Sequence, residues 1–68
     1  MPSSPTLEAI RRDDPRWAEA IERLWAQVEA YPENLRQMAI YDLIDSGVIG
    51  EASAERQIFR EILDRQYG

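Results

Sequence analysis

PRWAEAIERLWAQVEA, residues 15–30, is the stretch on which the fold turns. Within it Trp17, Ile21, Leu24 and Val28 recur at spacings of four, three and four, and Ala18 and Trp25 widen the stripe. At about 100° per residue these positions fill an arc of about 120°, and Glu19, Glu22 and Arg23 fall outside it. The pattern predicts an amphipathic helix with one face against a core. Its start is written locally, because Asp13 and Asp14 supply acceptors for the first free N–H groups and Pro15 stands where no N–H is needed. Its end follows from Tyr31-Pro32, since the residue before a proline avoids the helical region.

Upstream, Ser4 and Pro5 repeat the cap-then-proline signal, and Leu7 and Ile10 give one apolar edge to a short helix ending near Arg12. Residues 1–4 read as a flexible tail. Downstream, residues 33–46 predict a third helix of a different kind. Leu35, Met38, Ala39, Ile40, Tyr41, Leu43 and Ile44 point nearly all the way round its axis. A helix apolar on most sides is buried on most sides, so this one is either the central helix or half of an interface. Gly47 is a natural stop. Val48 and Ile49 follow as a short apolar stretch expected to plug the base of the core. A last helix begins near Glu51 or Ser53 and runs to about Gln66, with Ile58, Phe59, Ile62 and Leu63 as its stripe. The expected fold is all-α, a small helical bundle of three main helices plus a short N-terminal helix.

The chain has 68 residues, enough for a single domain over 1–68 and no more. It contains no cysteine and no histidine. That rules out disulfides, thiolate or imidazole metal sites, the Ser–His–Asp triad and the Cys–His pair. Gly47 and Gly50 lack the lysine and spacing of a phosphate-binding loop. Asp13 and Asp14 are the tightest carboxylate pair, and helix capping accounts for them. The expectation is a non-enzymatic protein with no catalytic residues, no cofactor and no metal. No apolar run approaches the ~18 residues of a membrane span, and the N-terminus lacks a secretory signal pattern, so no membrane partner and a cytoplasmic setting are expected.

All eight basic residues are arginine, against 13 acidic ones, for a formal net charge of −5. A net acidic chain starts at a disadvantage in neutralising phosphates, which argues against nucleic acid. The alternative reading is a helix-turn-helix DNA-binding protein using the C-terminal helix with Arg56, Arg60 and Arg65. Glu51, Glu55, Glu61 and Asp64 share that segment, and Arg60–Asp64 and Glu61–Arg65 have the spacing of local ion pairs, as does Glu19–Arg23.

What remains is association. A chain of this size without disulfide or metal staples has a marginal core, and binding a partner is the remaining way to stabilise it. The expected function is a small helical protein–protein interaction module: a homodimer, or an accessory or inhibitor protein that binds a larger partner. Aromatic anchors and a charged rim are the usual interface chemistry. Trp17, Trp25, Tyr41 and Ile44 are the candidate anchors. Glu22 and Glu29 belong to an acidic run with Glu19 and Glu33, and they are the candidate rim. Asp42, a polar residue among the apolar positions of the third helix, is either bridged to an arginine or aimed at a partner.

Overall fold

In the computed structural model, residues 4–67 are described, except for the side chain of Tyr67. Four α-helices follow one another: α1 (Pro5–Asp13), α2 (Pro15–Glu29), α3 (Arg36–Asp45) and α4 (Ala54–Tyr67). A 3-10 turn at Glu33–Leu35 leads into α3. The all-α bundle expected from the sequence is the fold found.

The helix ends are built from the local signals. Ser4 is extended, and its Oγ accepts from the Leu7 N–H at 3.1 Å. Asp14 serves two helices at once. Its own N–H donates to the Ile10 carbonyl at 2.6 Å to close α1, and its carboxylate accepts from the Trp17 N–H at 3.2 Å to open α2. At the far end of α2 the Arg36 guanidinium donates to the carbonyls of Tyr31 (3.2 Å) and Glu29 (3.3 Å), filling acceptors that the helix leaves open. Gly47 has φ +80°. It forms a Schellman stop, with the Val48 N–H on the Leu43 carbonyl at 3.0 Å and its own N–H on Ile44 at 3.1 Å. Ser53 opens α4 by accepting from the Arg56 N–H at 3.3 Å.

The core collects Leu7 from α1, Ala18, Ile21, Trp25 and Val28 from α2, and Ile58, Phe59 and Ile62 from α4. Trp25 and Phe59 pack tilted at its centre, with ring centroids 5.6 Å apart. The Trp25 Nε1 is buried without an acceptor, and no feature of the structure accounts for it.

The carboxylate of Glu61 ties α4 to the start of α1. It accepts from Ser4 Oγ (2.5 Å), the Thr6 N–H (3.1 Å), Thr6 Oγ1 (2.7 Å) and Gln57 Nε2 (3.0 Å). Burial alone would raise its pKa. The hydrogen bonds from Ser4, Thr6 and Gln57 outweigh burial and hold it at about 2. Toward the other end of α1, Arg11 pairs with Glu22.

Several expectations are corrected. α3 is not the central helix: it buries only Ala39 and Ile40, while α1 packs against both α2 and α4 and those two helices supply most of the core. Trp17, read as part of the core stripe, is 42% exposed in the first turn of α2. Val48 and Ile49 divide the role given to both, since the Schellman turn points Ile49 inward and leaves Val48 53% exposed. Ser4 is buried in the folded domain, and the remainder of the expected tail, residues 1–3, lies outside the described residues. Neither Glu19 with Arg23 nor Arg60 with Asp64 closes into an ion pair among the described residues. Glu61, read as a local partner of Arg65, is turned toward α1.

Candidate functional site

The seven residues singled out from sequence do not form one surface. Trp25 is 2% exposed, so it presents nothing to a partner; its ring is spent on Phe59 and the core. Glu22 is half-buried under Arg11. Trp17 lies near the N-terminus of α2, and Glu29, at its C-terminus, is exposed. Ile44 is half-buried against the core cluster. Of the seven, only Tyr41 and Asp42 are exposed as neighbours on one element, and that element is α3.

The outer face of α3 is organised by helix geometry. At about 100° per residue, Tyr41, Asp45, Met38 and Asp42 follow one another across an arc of about 100°, and all four are exposed. Met38 is 57% and Tyr41 50% exposed, large values for two bulky apolar side chains one turn apart. The inner face, with Ala39 and Ile40, faces the core.

The two flanks of this face differ in charge. On the α2 side a groove of about 250 Å³ runs between the two helices. It is lined by Gln27, Val28 and Tyr31 on one wall and Ala39, Asp42 and Leu43 on the other. Asp42 sits at its edge, and the arginine bridge expected for it is not formed among the described residues, because no arginine lies within a turn of it on α3.

On the α4 side a smaller notch of about 70 Å³ opens between Gln37 and Ile40 of α3 and Arg56, Phe59, Arg60 and Asp64 of α4. The Arg56 guanidinium lies over the Tyr41 ring, 4.9 Å from its centroid, a cation–π distance. The donor side chains of Arg56 and then Gln37 beside the phenol, followed by the charge of Arg56 and of Arg60, hold Tyr41 below its usual pKa. One guanidinium nitrogen, Arg56 Nη1, is buried and has no hydrogen-bond partner.

Sequence reasoning missed Met38 as an anchor and did not connect Arg56 to Tyr41. The signal for the second was weak but present: Arg56 and Arg60 are four apart, hence on one face of α4. No group of three or more acidic side chains suited to a metal ion occurs among the described residues. No helix among them is long and apolar enough to cross a membrane.

No protein-family model, curated protein or solved structure matches this chain.

Proposed function

We propose that this chain is a small, non-enzymatic protein–protein interaction module that binds through the outer face of α3, either to itself or, as an accessory or inhibitor protein, to a larger partner. The observation that carries the reading is the pair Met38 and Tyr41, exposed side by side on one helix whose other side reaches the core. Single exposed apolar residues are ordinary, but a contiguous pair beside an apolar groove is the composition of an interface centre. Met, Tyr and Arg, the residue types enriched at such centres, stand together here as Met38, Tyr41 and Arg56. The acidic and basic flanks supply the orienting rim.

The test is site-specific photocross-linking in the native host, with a benzophenone side chain placed at Met38 or, as a control, at Glu19 on the exposed face of α2. The reading predicts protein adducts from position 38 and none from position 19. Equal adducts at both positions, or none at 38, would overturn it.

A further inference from the structure

We infer that the occupant of the α3 face is a second copy of this chain, docked with its α3 parallel to the first so that Asp42 of each copy meets Arg56 of the other. The inference rests on the interaction reading and specifies its partner. Three observations carry it. The face holds both halves of an ion pair that the single chain leaves open: Asp42 without an arginine and Arg56 without a carboxylate, neither in a salt bridge among the described residues. The two lie on opposite flanks of the same apolar centre, on the α2 side and the α4 side respectively. They also stand at nearly the same height along α3, since Arg56 covers Tyr41, the residue next to Asp42.

Two-fold symmetry then selects the orientation. In an isologous pair the axis lies in the interface plane, and each patch contacts its complement twice. An axis perpendicular to α3 makes the helices antiparallel and lays each flank on its own copy, Asp42 toward Asp42 and Arg56 toward Arg56. An axis along α3 makes them parallel and lays the acidic flank of each on the basic flank of the other. Met38 of the two copies meets on that axis. Asp45, also on the outer face, lies two turns from Met38, and a helix crossing angle of about 50° at the contact parts the two Asp45 side chains. Asp64, which lines the notch beside Arg56 and Arg60, is exposed and makes no ion pair among the described residues, so Arg56 stays available.

Sedimentation equilibrium on the full chain from about 10 μM to about 1 mM tests this. The wild-type chain is expected to dimerise. Asp42→Arg and Arg56→Glu are each expected to weaken the dimer by about tenfold or more, because each places like charges together twice. An equimolar mixture of the two variants, and a single chain carrying both changes, are expected to recover it. Circular dichroism confirms that the helices survive. Arg56 is partly buried, so a second measurement stands apart from its variant: the chain has no native cysteine, and Met38→Cys is expected to form a disulfide dimer under mild oxidation where Glu19→Cys does not. A wild-type monomer at about 1 mM, a dimer indifferent to the charge reversals, or no rescue in the mixture would each overturn the inference. Cross-links from position 38 to a different protein would in those cases leave the interaction reading standing.

Discussion

Glu61 shows what a single residue does here that its neighbours in sequence do not announce. The first turn of α1 carries free N–H groups and the positive end of a helix dipole, and a carboxylate from α4 meets both through Ser4 and Thr6. Its folded pKa of about 2 lies below the ordinary 4.5. The stabilisation is therefore fully present above about pH 4.5 and is lost as pH falls toward 2. Glu61→Gln is expected to flatten the fall in stability across that window, and Glu61→Ala to cost about 1–3 kcal/mol at neutral pH through the donors it leaves unpaired. Urea denaturation at a series of pH values reads both; a variant as acid-sensitive as wild type would show that the tie is not where the pH dependence resides. The sequence does not disclose this bond because its ends are 57 and 55 residues apart. The local alternative, Arg65 four residues on, is the simpler reading of the same glutamate. The two tryptophans make the same point. Trp17 and Trp25 share a helical stripe, yet only Trp25 falls where α4 brings Phe59 to cover it.

Among the elements, α1, α2 and α4 were legible because their signals are local: a capping side chain, a proline or glycine at the right offset, and an apolar stripe with one width. Gly47 is the clearest of these. Its φ of +80° suits glycine, and a Cβ there would meet nothing within 4 Å, so the cost of a side chain is conformational and not steric crowding by neighbours. Gly47→Ala is expected to destabilise by about 1 kcal/mol with the core unchanged, seen as a lowered midpoint at constant denaturant slope. A neutral substitution would mean that the Schellman stop does not set the path from α3 to Ile49. By contrast, α3 was ambiguous in principle. An all-round apolar pattern states that most sides are covered without saying by what. Once the core is seen to draw mainly on α2 and α4, with Leu7 of α1 and only Ala39 and Ile40 of α3, Met38 and Tyr41 are left outside it.

At the scale of the whole molecule, charge distribution matters more than net charge. The chain is acidic overall at −5, but the α3 face has a carboxylate flank and a guanidinium flank, joined by Tyr41. That arrangement arises from three helices and was not visible in any one segment, which is why only Tyr41 and Asp42 of the expected partner-binding residues fall on it. With Arg56 laid over Tyr41, α4 offers no continuous basic track. A random DNA duplex is accordingly expected to show no gel shift at micromolar protein and physiological salt; a clear, salt-sensitive shift would favour the helix-turn-helix alternative.

The claim that α3 presents a self-complementary face is tested most directly by amide chemical shifts followed as a 15N-labelled sample is diluted from about 1 mM to about 10 μM. The account predicts concentration-dependent shifts confined to residues 38–45 of α3 and 56–60 of α4, with the exposed face of α2 around Glu19 and Arg23 unmoved. Shifts centred on α2, or a spectrum that does not change on dilution, would contradict it.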